Sequence, residues 1–209
     1  KVFSPASFSI GHRGAPLLFP EHTAESYRAA AAMGAGILEC DVTFTRDREL
    51  VCRHDQCDLH NTTNILETAL VEKCVQPPGQ RVNGVDLEAQ CCTSDITLEQ
   101  FKSLKGVLRN ANSNLRREDE LLETNSPLHD MLPRQGGGTL LSFSEALQLF
   151  RELNVGVAPE LKSPHVSMPF QGEYSQQDYA TQLVDEVEAA GIAAERVWLQ
   201  SFSYDDVLY

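Results

Sequence analysis

Positive charge is scarce in this chain of 209 residues. The 17 lysines and arginines face 30 aspartates and glutamates, a formal net charge of −13. Such a surface repels a nucleic-acid backbone, so a nonspecific DNA or RNA binder is excluded as the leading reading. A small anionic substrate is not excluded, because a local Arg, Lys or metal site outweighs the global field at contact range. Long hydrophobic runs are also missing. No apolar stretch approaches the roughly 20 residues that span a bilayer, and no charged segment followed by an apolar one reads as a leader. The opening Lys1-Val2-Phe3-Ser4 has no methionine, which reads either as an arbitrary boundary or as a mature chain whose leader has been removed. No Cys-x-x-Cys pair occurs and Cys91-Cys92 are adjacent, so a structural zinc site ranks low.

What is present supports one packed core. Hydrophobic residues make up 42% of the chain, and the length suffices for a single sizeable domain without requiring two. Six cysteines stand at 40, 52, 57, 74, 91 and 92. An even number clustered in the first half suits disulfides and an oxidising compartment, hence a secreted or periplasmic protein. Sequence does not choose among the pairings.

Short strand-like and helical runs alternate at both ends of the chain. Phe8-Ser9-Ile10 predicts a strand, Thr23 to Met33 a helix stopped by Gly34, Ile37 to Phe44 a strand, and Leu50 to Arg53 another. Later, the capping box Ser142-Phe143-Ser144-Glu145 opens a helix through Leu153. Val155 to Lys162 predicts a strand, Gln177 to Ala190 a helix stopped by Gly191, and Val197 to Phe202 a last strand. This order suggests parallel βα units. Between them, residues 56–138 break the rhythm with Pro77-Pro78-Gly79 and Gly136-Gly137-Gly138, and Thr97-Leu98-Glu99-Gln100 is the one clear helix start there. The segment reads as an insertion or cap held by disulfides within a single domain.

Polar residues gather at the ends of these strands. Glu39 and Asp41 alternate around Cys40, so both carboxylates share one strand face and Cys40 points the other way. Two acids on one face repel unless a cation or proton lies between them, and oxygen ligation suits Mg²⁺ or Ca²⁺. The apolar flanks Ile37, Leu38, Val42 and Phe44 favour a buried ligand role over a solvated strand face. His12 and His54 each follow a short apolar strand and form a candidate acid/base pair. His22, His60, His129 and His165 read as surface or structural residues. Arg13, in a glycine-flanked turn, can fork onto phosphate. Glu160 and Lys162 share a strand face in their turn, as metal ligand and phosphate partner or as a plain ion pair. Glu21 can orient Arg13 or a histidine, or simply precede the helix.

Taken in order, Gly11-His12-Arg13-Gly14-Ala15, Pro20-Glu21-His22-Thr23, Glu39-Cys40-Asp41-Val42, Arg53-His54-Asp55, Pro159-Glu160-Leu161-Lys162 and Gln200-Ser201-Phe202 resemble the glycerophosphodiester phosphodiesterase family. Two features depart from its pattern: His22, where the family usually has Asn, and the long cysteine-bearing insertion. The resemblance implies a TIM (β/α)8 barrel, with the insertion after its third strand. It implies one divalent cation, Ca²⁺ or Mg²⁺, on Glu39, Asp41 and Glu160. It also implies catalysis by His12 and His54, phosphate held by Arg13 and Lys162, and support from Glu21 and Gln200. The reaction implied is hydrolysis of glycerophosphodiesters to sn-glycerol 3-phosphate and an alcohol, through a cyclic phosphate formed and opened by the two histidines. The same residues suit a phospholipase-D-like lyase acting on choline lysophospholipids. A noncatalytic binding module on the same barrel is the alternative from another class.

A barrel needs eight strands, and about five are legible here. The expectation is therefore that the barrel is incomplete at the C-terminus. Either a missing segment or a separate chain would complete it, and residues 1–209 alone would not form a stable, active enzyme.

Overall fold

The computed structural model describes residues 6–82, 85–108 and 137–208. Its main sheet has five strands: β1 (Ala6–Gly11), β2 (Ala35–Phe44), β3 (Leu50–Cys52), β4 (Gly156–Leu161) and β5 (Gln200–Ser201). The order β1-β2-β4-β5 is parallel throughout. Among the described residues five α-helices accompany it: α1 (Ala24–Ala32), the single turn α2 (Leu59–Thr62), α3 (Leu98–Ser103), α4 (Phe143–Glu152) and α5 (Gln176–Ala189). The helix signals act locally. Thr97 with Gln100, and Ser142 with Glu145, form reciprocal capping boxes at α3 and α4. Gly34 and Gly191, at φ of 102° and 68°, turn the chain beyond α1 and α5.

The strand Leu50–Cys52 differs from a simple βα rhythm. It pairs antiparallel with β2, matching Val42 to Cys52 and Phe44 to Leu50. Only residues 45–49 separate the two strands, far too few for a parallel crossover. Strand β1 already ends opposite Leu38, so β3 takes over that edge of β2 farther along. The hairpin carries the chain back, and the Arg53 N–H donates to the Asp41 carbonyl at 2.8 Å. His54 thus returns to the level of the acids. The last strand is also shorter than its apolar run, with Val197 joined to Val157 only by an isolated bridge.

One core packs the sheet against α1, α4 and α5. Phe143, Ala146, Leu147 and Phe150 of α4 are buried there with Leu38, Cys40 and Val42 of β2. The Phe150 ring stands edge-on to Tyr27, centroids 4.7 Å apart. Phe44 is enclosed by Phe170, Tyr174 and Tyr179. A second cluster, Val51, Leu59, Ile65, Ile96, Phe101 and Leu104, lies under the described part of the 56–138 segment. Residues 109–136 of that segment, and His129 among them, fall outside the described residues.

The cysteines pair as Cys40–Cys52, Cys57–Cys92 and Cys74–Cys91. The first crosslinks the β2–β3 hairpin, and the other two staple the segment. Three disulfides fit an extracellular or periplasmic setting. No described helix is long and apolar enough to cross a membrane.

Candidate active site

The site is built on three strand ends and one turn. After β1 the chain turns through Arg13 and Gly14, both at positive φ (59° and 87°). A Cβ on Gly14 would lie 2.4 Å from the Ser26 hydroxyl, which explains glycine there. Ser26 Oγ accepts from the Ala15 N–H at 2.7 Å and donates to the Arg13 carbonyl at 3.1 Å. The His22 N–H donates to that same carbonyl. Helix α1 therefore pins the turn, and the turn aims Arg13.

Glu39 and Asp41 project from one face of β2 and are almost wholly buried, at 2% and 1% exposure. The Arg13 N–H donates to Glu39 Oε2 at 2.6 Å. The Arg13 guanidinium lies 3.1 Å from Glu21 Oε2 and 3.4 Å from Asp41 Oδ2. Across the sheet, Glu160 of β4 is the register partner of Asp41. Lys162 Nζ donates to Glu160 Oε1 at 2.6 Å and stands 3.4 Å from Asp41 Oδ1. Two cations therefore flank the buried acids from opposite sides.

His22 completes this cluster, although it reads in sequence as a surface or structural histidine. It is fully buried. Its Nε2 lies 2.9 Å from Asp41 Oδ2 and its Nδ1 lies 2.8 Å from the Tyr27 hydroxyl. Burial lowers the His22 pKa despite the neighbouring Asp41 carboxylate, which favours the neutral ring. An ionised Asp41 only accepts. Nε2–H therefore donates to it, and Tyr27 O–H donates to Nδ1. The available signal was positional: His22 occupies the motif place where Asn is usual, and its φ of 56° is a conformation Asn and His tolerate better than most residues.

His22, Glu39 and Asp41 each offer a ligand atom within 4.8 Å of the others. Glu160 stands beside them with one oxygen on Lys162. Burial, then the Asp41 charge, pushes the Glu39 carboxyl up to about 9. Asp41 moves the other way, because the hydrogen bond from His22 and the charge of Lys162 outweigh its burial. Glu39 Oε1 is buried with no hydrogen-bond partner. One proton between two buried acids, beside an unpaired oxygen, is what an oxygen-ligated divalent cation would replace. The donors present fit such an ion. A second group, Asp55, Cys57 and His165, lacks a thiolate because Cys57 is in a disulfide.

His54 is half-buried at the exit of β3. Burial and then the Arg13 charge lower its pKa. Its position is set by Arg53, whose fully buried guanidinium donates to the carbonyls of Cys52, Thr62 and Glu21. His12 is exposed beside Arg13. Gln200 is register partner of Glu160 on β5, with its side chain exposed.

The model of the glycerophosphoryl diester phosphodiesterase family matches residues 12–209. An extracellular protein of Arthroderma benhamiae is 50% identical over 72 residues, covering 34% of this chain and 29% of that protein. A probable glycerophosphodiester phosphodiesterase 1 of Mycobacterium tuberculosis is 46% identical over 56 residues, 27% of this chain and 20% of that protein. Among solved structures, an Oleispira antarctica phosphodiesterase in complex with the product sn-glycerol-3-phosphate superposes with a TM-score of 0.60. It is 18% identical over 96% of this chain and 59% of its own. The chain thus spans under a third of these two relatives and about three fifths of that structure. The structural likeness establishes the fold: the described sheet is part of a TIM barrel.

Proposed function

The chain belongs to the glycerophosphoryl diester phosphodiesterase family, and from that premise we propose that it hydrolyses glycerophosphodiesters to sn-glycerol 3-phosphate and an alcohol. The observation that carries the reading is the buried Glu39–Asp41 pair with an unpartnered oxygen, flanked by Arg13 and Lys162. Glu39, Asp41 and Glu160 would hold a divalent cation, Ca²⁺ or Mg²⁺, with His22 orienting Asp41. When bound, such an ion neutralises phosphate charge and acidifies a coordinated hydroxyl.

The chain's own groups supply the rest. Arg13, steadied by Glu21, and Lys162 grip the nonbridging phosphate oxygens. One histidine of the His12/His54 pair takes the proton of a glycerol hydroxyl as its oxygen bonds to phosphorus. The phosphorus–oxygen bond to the alcohol breaks, and the other histidine gives that oxygen a proton. Water then opens the cyclic phosphate with the two roles exchanged. Burial and then the Arg13 charge lower the His54 pKa, which favours the neutral ring that can accept a proton. A secreted or periplasmic location accompanies this reading, from the three disulfides.

A product assay on a panel of glycerophosphodiesters, with and without chelator, tests the proposal. His12→Ala and His54→Ala should each lower kcat by roughly 10²–10⁴-fold. Near-full turnover in both variants would reject the histidine assignment, and turnover unaffected by chelator would reject the cation.

A further inference from the structure

A groove of about 350 Å³ opens between the disulfide-stapled segment and the loop after β4. Asp55 and His165 line it together with Asn61, Gln76, Glu88 and Gln90. Its place is set by the candidate active site. Asp55 follows His54 directly, and His165 comes three residues after Lys162. At about 3.8 Å per residue, the groove begins within roughly 4–11 Å of chain from both groups. A phosphate gripped by Lys162 and Arg13 would send one of its two ester substituents in this direction.

The groove is built rather than incidental. His165 Nε2 meets Asp55 Oδ2 at 3.3 Å. The Cys57 N–H holds Asp55 Oδ1 at 2.7 Å. The His165 N–H donates to the side chain of the buried Gln56. The backbones of Gln76 and Gln90 bond each other in both directions, at 3.1 and 2.7 Å. Cys74–Cys91 ties the chain beside Gln76 to the chain beside Gln90, and Cys57–Cys92 ties the latter to the turn after Asp55.

Its lining says what it takes. The lining includes neither Phe, Tyr nor Trp, so the groove lacks the aromatic faces that recognise a quaternary ammonium. Apart from the disulfide-bonded Cys57, Ala89 is its one apolar residue, which leaves an acyl chain no seat. Amides, imidazoles and carboxylates instead present donors and acceptors at short intervals, the complement of hydroxyl groups that both donate and accept. The geometry points to a subsite for the departing alcohol that selects uncharged, hydroxyl-rich alcohols over choline. This inference rests on the phosphodiesterase reading above and names the substrate class of that site.

The test uses the full-length protein loaded with divalent cation. Release of glycerol 3-phosphate is followed from glycerophosphoinositol, from glycerophosphoglycerol and from glycerophosphocholine. The expected kcat/KM is at least about tenfold higher for the two polyol diesters, the value of one or two hydrogen bonds. Asn61→Leu and Gln90→Leu, both on the groove wall and outside the catalytic machinery, should each cut that preference severalfold by raising KM for the polyol diesters. The choline diester should be unaffected in either variant, which also reports that each has folded. Equal rates, a preference for choline, or a ratio unmoved in both variants would overturn the subsite while leaving the phosphodiesterase reading standing. No turnover of any diester would overturn that reading and the subsite with it.

Discussion

Removing the Cys40–Cys52 disulfide should cost stability without dismantling the site. The bond closes a loop at a sequence separation of 12. Loop-closure entropy in the unfolded chain then gives about 3 kcal/mol of stabilisation. The separations of 35 and 17 for Cys57–Cys92 and Cys74–Cys91 give about 4 and about 3 kcal/mol by the same relation. Cys40 lies between the two acids, and Cys52 two residues before His54. The hairpin that aligns them is nevertheless held independently, by three β2–β3 register pairs and the Arg53 N–H to the Asp41 carbonyl. The Cys40→Ala/Cys52→Ala double variant should therefore unfold about 6–12 °C lower in calorimetry, at roughly 2–4 °C per kcal/mol for a domain of this size. Its Ca²⁺ affinity and kcat/KM, measured well below the new midpoint, should stay within about threefold of the parent. A loss below about 1 kcal/mol would refute the entropy argument. A collapse of cation binding at unchanged stability would show that the bond, and not the strand register, positions the acids.

Three further outcomes follow from the buried charges. His22→Ala leaves Asp41 Oδ2 and the Tyr27 hydroxyl without their shared partner. It should cost about 1–3 kcal/mol in denaturant unfolding and weaken Ca²⁺ binding at least about tenfold, whereas His22→Asn should keep more of both; an alanine variant with parental cation affinity would remove His22 from the site. Because the Glu39 carboxyl sits far above its ordinary value, cation binding at pH 7 should expel close to one proton per ion. Calorimetric titrations in two buffers of different ionisation enthalpy measure it, and zero release would contradict the picture. Glu186, on the outer part of α5, is raised to about 7 mainly by burial. A raised carboxyl contributes stability that is present below its unfolded pKa near 4.5 and lost as pH rises through about 7. The thermal midpoint should thus fall between pH 5 and 8. Glu186→Gln should flatten the fall, recovering about 1 kcal/mol once solvent screening of this partly exposed group is allowed for; identical pH profiles would speak against it.

Much of the fold was legible because its signals are short-range. A capping box needs four residues, a helix stop needs one glycine, and strand alternation tells which side chains share a face. That is why Glu39 and Asp41 could be paired on one face, and Cys40 turned away from them, from sequence alone. The antiparallel course of β3 was implicit in the five-residue link, yet the repeated strand–helix order suggested parallel units. His22 was passed over because nothing in its neighbours announces burial. Its partners Asp41 and Tyr27 come from a strand and a helix that meet only in the folded chain.

By itself, the sequence determined the family motifs, the helix boundaries and the chemical inventory of histidines, acids and cations. These depend on residue identity and on spacing over a few positions. Tertiary structure alone decided which cysteines pair, that His22 joins the acids, that Lys162 reaches Asp41, and that Asp55 and His165 line one polar groove. Each of these joins residues distant along the chain, and local sequence carries no record of which distant groups packing will bring within 3 or 4 Å.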